Sequence, residues 1–252
     1  MTPNDLQPAT KPTFYFIGVT TGRSSIMRVF PRWAEHLGLG DCPIVGIDCK
    51  WHDSADNYRR VVSFLKSDEL SLGALVTTHK MDLLSAAGDL FDELGEDASL
   101  LREVSSISKR NGRLRGHAKD PITSGLSLEA IVPDGHFRET GGDVCLLGAG
   151  GSSLALTLYL MRNRPTDDRP ARIFVTNRSE PRLAHMREIH ERINPGIELE
   201  YHHCPSPEQN DAVVARLRPS SIVANATGLG KDAPGSPLTD SAGFPERGIA
   251  WD

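Results

Sequence analysis

The chain has 252 residues, 38% of them hydrophobic and 24% charged, a composition that excludes a disordered or fibrous protein and allows one large domain or two modest ones. Its 28 Lys and Arg stand against 33 Asp and Glu, and the net charge of −5 excludes a general nucleic-acid binder. The longest apolar stretch, around Leu154–Met161, falls far short of the ~20 residues of a membrane-spanning helix, so no membrane partner is expected.

Polar Met1–Pro12 has no basic start followed by an apolar run, so it reads as a loose tail rather than a secretory signal, and the cytoplasm is the expected location. Phe14–Val19, Pro43–Asp48 and Gly73–Thr78 follow as buried strands of β-branched and aromatic residues. Between them Ser24–Leu39, Ala55–Lys66 and Lys80–Leu94 read as helices. The last carries Leu83, Leu84, Ala87, Leu90, Phe91 and Leu94 at three-to-four spacing, with Gly95 as its stop. Asn111-Gly112 between Val104–Ser108 and Arg113–Gly116 is a hairpin signal, because a type I′ turn needs positive φ at both centre positions, and it implies a two-stranded excursion. Pro121–Val132 reads as a helix with proline in its first turn, ended by Pro133-Asp134-Gly135.

After Gly142 the alternation restarts: strand Val144–Leu147, helix Ser152–Met161, strand Arg172–Thr176, helix Pro181–Arg192, then strands Ile197–Tyr201, Ser221–Ala224 and Gly248–Trp251. Ending on a strand at Asp252, the pattern reads as cut short. Alternating strands and helices predict an α/β protein with mainly parallel strands. Cys42, Cys49, Cys145 and Cys204 are far apart with no C-x-x-C and read as reduced residues on buried strands. A metal held by Cys42, Cys49 and His52 is the weaker reading, and no metal is expected.

The run VCLLGAGGSS sets Gly148, Ala149, Gly150 and Gly151 between an apolar strand and an apolar helix, with Ser153 where a dinucleotide fingerprint has its third small residue. The first glycine permits the tight turn and the second lets backbone approach a pyrophosphate. The helix start at Ser152 offers free amides to negative charge. The next strand ends at Asn177, Arg178 and Ser179 with no carboxylate for a ribose hydroxyl. Arg178 and Arg182, one helical turn apart, instead form a clamp for a 2′-phosphate, which favours NADP over NAD. Asn225, Ala226, Thr227 and Gly228 follow another apolar strand, where ligands bind in open α/β sheets. The competing readings are a structural glycine turn, solvated arginines and a plain strand-ending loop.

In this order the motifs resemble those of the shikimate/quinate dehydrogenase family, with GAGGSS, TNRS and NATGLG standing where the family has GAGG, NRT and NAT-x-x-G. The likeness runs from Ile17 to Asp252 and is looser in the first half. The segment Gly18–Ile26 resembles the opening G-x-P-x-x-H-S-x-S-P, with Ser24 at the first serine and Ile26 replacing the second. Leu75–Lys80 resembles N-V-T-x-P-x-K, one position shorter and without its asparagine and proline, but with Thr77 and the lysine kept. Ser105 stands for the asparagine of V-N-T, and Gly116–Asp120 keeps only the aspartate of the last three residues of G-x-N-T-D.

The resemblance implies a substrate-binding catalytic domain over residues 13–120, a crossover helix and loop over 121–136, and a Rossmann dinucleotide-binding domain over 137–252. It implies a catalytic pair, Lys80 and Asp120, with Ser24, Thr77 and Ser105 as substrate contacts. Arg23, where the family has histidine, is a candidate for a substrate carboxylate in place of the missing serine. Oxidising a secondary alcohol needs a hydride acceptor and a group that takes the hydroxyl proton, which Lys80 would do with Asp120 orienting it. His79 is a weaker alternative base, with a helix-start histidine facing solvent or phosphate as the preferred reading. Each buried polar group of a ligand left without its partner costs about 1–3 kcal/mol, so the altered cradle implies a changed small-molecule hydroxy acid or polyol. The expectation is an NADP-preferring oxidoreductase, monomer or homodimer. A non-catalytic dinucleotide sensor and shikimate dehydrogenase itself are the alternatives.

Overall fold

The computed structural model describes residues 1–193, 196–230 and 234–252 and divides into two compact units, Met1–Lys119 and Asp120–Asp252. In the first, β1 (Thr13–Gly18), β2 (Ile44–Asp48) and β3 (Ser71–Val76) pair in parallel around the fully buried Tyr15, Ile17 and Ile47. Helix α1 (Ile26–His36) follows β1 and α2 (Ala55–Ser67) follows β2. Ser54 caps α2 by accepting from the Asn57 amide, and Tyr58, Val61, Val62 and Leu65 form its buried stripe.

Helix α3 (Lys80–Ala87) is half the length its periodicity predicts. The chain turns at Gly88–Leu90 and forms the short strand β4 (Glu93–Leu94) and helix α4 (Glu96–Leu101). Tertiary pairing overrides the helical pattern. The Asp92 amide donates to the Leu114 carbonyl, and its carboxylate accepts from the Leu114 amide at 2.7 Å, so Phe91 and Leu94 pack on the sheet. Strands β5 (Ser106–Arg110) and β6 (Arg113–His117) form the expected hairpin, with φ of 51° at Asn111 and 74° at Gly112. It is no excursion: β5 pairs antiparallel with β3, and the six strands run β2-β1-β3-β5-β6-β4 in one mixed sheet. Nor is the amino-terminal segment a loose tail. The Met1 nitrogen donates to the Gly46 carbonyl, the Met1 carbonyl accepts from Asp48, and the Ala9 amide reaches the Asp68 carboxylate, so unpaired groups of the edge strand β2 gain partners.

The second unit opens with α5 (Asp120–Glu129) and α6 (His136–Thr140). Then come β7 (Val144–Leu147), α7 (Gly151–Arg162), β8 (Arg172–Asn177), α8 (Glu180–Ile193), β9 (Glu198–His203), α9 (Pro207–Val214), β10 (Ile222–Asn225) and β11 (Ile249–Trp251). Its strands are all parallel, in the order β11-β10-β7-β8-β9. β7 is buried along its whole length, as a central parallel strand covered on both faces must be. Helix α5, set apart in the sequence as a crossover, packs along α7, and the Tyr159 hydroxyl donates to Glu129.

His190 ties α7, α8 and β9 together. The Thr157 hydroxyl donates to the Leu154 carbonyl, so its oxygen accepts from the His190 Nε2–H at 2.8 Å, and Nδ1 accepts from the Tyr201 hydroxyl at 2.7 Å. Burial pushes this imidazole down to about 4. Its contribution is therefore complete above about pH 6.5, the ordinary value, and is lost as pH falls toward 4, by at most about 3 kcal/mol. Urea midpoints measured from pH 7 to 4 should fall, and more shallowly in His190→Gln; equal slopes would remove His190 as a cause.

Candidate functional site

A cleft of about 350 Å³ lies in the second unit at the carboxyl ends of β7, β8, β9 and β10, where parallel strands leave backbone amides and helix starts facing outward. Gly148 begins its floor. The residue has φ of 115°, and a Cβ there would stand 2.7 Å from the Ala226 carbonyl oxygen, so only glycine lets the loop after β7 cross the loop after β10. Ser153 Oγ donates to the Gly148 carbonyl at 2.5 Å and locks the turn from behind. At Gly150, the residue before α7, and at Gly151, its first residue, a Cβ would meet nothing within 4 Å, so the turn presents uncovered backbone at a helix start.

Of the residues named from the sequence for the cofactor, Gly148, Ala149, Gly150, Asn177, Arg178, Arg182, Ala226, Thr227 and Gly228 line this cleft together. Ser179 is half-buried just before α8. Ser152 and Asn225 line a separate cavity of about 310 Å³ beside α5. Asn225 is committed to its own loop: Oδ1 accepts from the Thr227 amide and hydroxyl, while Nδ2 donates to the Leu229 carbonyl and to Asp252. Asn177 Nδ2 is buried with no partner among the described residues, a donor awaiting an acceptor at the cleft wall. Arg178 and Arg182 are exposed, and the Arg178 carbonyl accepts from His203 Nε2 at 3.1 Å.

The sequence reading misses the far wall: Cys204, Pro205, Ser206, Pro207, Asn210, Ser236 and Pro237. It ends the third strand two residues early and overlooks α9. A signal was present in Ser206-Pro207-Glu208-Gln209, a capping box with proline at the first helical position, and the Ser206 amide does donate to Gln209 Oε1 at 3.0 Å.

In the first unit Arg23, Ser24, Thr77, Lys80 and Ser105 share one end of the sheet, because β1 and β3 are parallel while β5 runs back between β3 and β6. Arg23 and Thr77 are exposed, and Ser24 and Lys80 are half-buried. Lys80 opens α3 and follows a sharp turn in which Thr78 has φ of 64° and the His79 amide donates to the Thr77 carbonyl. Ser105 is nearly buried, and its Oγ accepts from the Lys119 amide at 2.8 Å, so this hydroxyl holds the end of the unit in place. Asp120 opens α5 in the second unit.

His79 does not face solvent. It is 1% exposed, Nδ1 accepts from the Tyr58 hydroxyl at 2.9 Å, and burial lowers its proton affinity below the ordinary value, with the Gly18 backbone carbonyl opposing. The turn at Thr78 carries the ring inward. All four cysteines are free and buried.

No family model matches the chain. The shikimate dehydrogenase (NADP(+)) of Alkaliphilus metalliredigens strain QYMF is 25% identical over 198 residues, 78% of this chain and 61% of that protein, so the chain spans about three fifths of this relative's length. The quinate dehydrogenase of Corynebacterium glutamicum, solved in complex with NAD, superimposes with a TM-score of 0.69 at 18% identity over 92% of this chain and 76% of that one. The ligand-free 5-ketofructose reductase of Gluconobacter sp. strain CHM43 superimposes at 0.66 and 21% identity, covering 93% of this chain and 73% of its own. In the order of its glycine, NRS and NAT segments and in its sequence relatives the chain is similar to shikimate dehydrogenases, and its α/β fold is similar to that of shikimate and quinate dehydrogenases of known structure.

Proposed function

We propose that the chain is an NADP-preferring oxidoreductase that interconverts a secondary alcohol and a ketone on a cyclic hydroxy acid or polyol. One observation carries the cofactor: the cleft joins a bare glycine turn at a helix start to a buried, unpartnered Asn177 amide and two arginines at the end of β8. These groups fit a pyrophosphate, a ribose and a 2′-phosphate in that order. The A. metalliredigens relative is named for NADP(+), while the C. glutamicum neighbour was solved with NAD, which leaves NAD as the weaker ligand.

A bound nicotinamide would supply the hydride acceptor or donor. Lys80 exchanges the hydroxyl proton, Asp120 orients it and holds the hydroxyl, and Arg23, Ser24 and Thr77 contact the remaining substituents. Ser105 acts through the backbone it holds. One feature favours a substrate other than shikimate: Ile26 stands where the family carries a carboxylate-binding serine. Among the described residues no helix is long and apolar enough to cross a membrane, and we place the enzyme in the cytoplasm as a monomer or homodimer.

Titration with NADPH and NADH, followed by a screen of shikimate, quinate, related hydroxy acids and keto sugars, tests this reading. We expect tighter NADPH binding and faster turnover of a relative of shikimate than of shikimate itself. Efficient shikimate oxidation would make the chain a shikimate dehydrogenase, and NADPH binding without turnover of any compound would favour a dinucleotide sensor.

A further inference from the structure

We infer that Asn210 reads the 6-amino group of the adenine ring, an inference that rests on the dinucleotide reading of the cleft and adds a base-specificity residue to it. Asn210 lies on α9, is 8% exposed and lines the cleft. Its Nδ2 donates to the Pro237 carbonyl at 2.8 Å. A carbonyl only accepts, so this bond fixes which way the amide is turned, and Oδ1 is left as a buried acceptor with no partner among the described residues.

A buried acceptor without a donor is costly, and one at a cleft wall calls for a ligand N–H. The position in the cleft says which one. Pyrophosphate belongs at Gly150 and the adenosine ribose with its 2′-phosphate at Arg178, so the base must extend past β8 toward the loop after β9. That end has flat, weakly polar walls, Pro205, Pro207 and Pro237, suited to the faces of a purine. The exposed edge of adenine carries one group that only donates, its exocyclic amine. Hypoxanthine carries a carbonyl oxygen at the same position, which would face Oδ1 acceptor to acceptor. The wall thus prefers adenine through one oriented hydrogen bond.

The test compares NADPH with its hypoxanthine counterpart, reduced nicotinamide hypoxanthine dinucleotide phosphate, by fluorescence titration of the whole chain. The parent should bind NADPH about tenfold more tightly, and Asn210→Leu, which keeps the branched shape but loses the acceptor, should bind the two within twofold of each other. A loosened Pro237 loop would weaken both ligands alike and leave the ratio unchanged, so the ratio separates recognition from structure. Equal affinities in the parent, or an Asn210→Leu variant that still discriminates tenfold, would overturn the inference while leaving the dinucleotide site intact. Absence of NADPH binding to the parent would overturn the dinucleotide reading and this inference with it.

Discussion

Lys80→Ala is expected to lower kcat by about a thousandfold, within the range of 10² to 10⁴ that a positioned proton-transfer group contributes, while the Kd for NADPH stays within about twofold of the parent. The two halves of this result have separate causes. Every residue lining the candidate dinucleotide cleft belongs to the second unit, whereas Lys80 opens α3 in the first, so the substitution replaces no residue of that cleft. In the proposed mechanism, by contrast, the proton of the reacting hydroxyl loses its acceptor. Lys80→Arg should not restore turnover, because a guanidinium keeps its proton at any workable pH. A rescue by arginine would mean that the residue supplies only positive charge. An alanine variant that turns over near the parental rate would remove Lys80 from the chemistry and shift attention to the strained Thr77–His79 turn beside it.

How far the sequence reveals such a site depends on whether the signal is local. The strand, glycine turn and helix around Gly148 are encoded within about twenty residues, and so are the Asn111-Gly112 turn and the helix begun at Ala55; each was legible because neighbouring residue types signal it. Residues whose roles are set by contacts far away in the chain were not. His79 looks like a solvent-facing helix start until Tyr58, twenty-one residues earlier, buries and bonds it. Ser105 gains a tie that its motif does not announce, because its hydroxyl oxygen accepts from the amide of Lys119. Leu90, Phe91 and Leu94 keep a helical spacing that pairing with β6 overrides. Asn210 carried no motif at all: its meaning comes from the carbonyl of Pro237, which fixes its amide. Periodicity finds elements and glycine finds turns, whereas polar side chains acquire roles only once the fold decides which of their atoms are already bonded.

Arg178→Ala should weaken NADPH about 30-fold and NADH less than threefold, turning a phosphate-preferring site into an indifferent one. The size follows from one charge-assisted contact, worth about 2 kcal/mol where the guanidinium is solvent-accessible. Its direction follows from the local charges: Arg178 and Arg182 line the cleft, and Glu180 between them opens α8 with its carboxylate 4.0 Å from His203 Nδ1 on β9. The clamp therefore has to outweigh a neighbouring negative charge, and removing one arginine leaves Arg182 to do so alone. Arg182→Ala should cost less, since Arg182 lies a turn further along α8 while Arg178 directly follows the end of β8, and the double variant should lose several hundredfold. Because both guanidinium groups are exposed, raising the salt from 0.05 to 0.5 M should narrow the NADPH advantage in the parent and leave the double variant nearly unchanged. Isothermal titration of the four proteins with both cofactors decides the matter: equal losses for NADPH and NADH would make Arg178 a structural residue at the start of α8, and an undiminished preference for NADPH would place the 2′-phosphate elsewhere in the cleft.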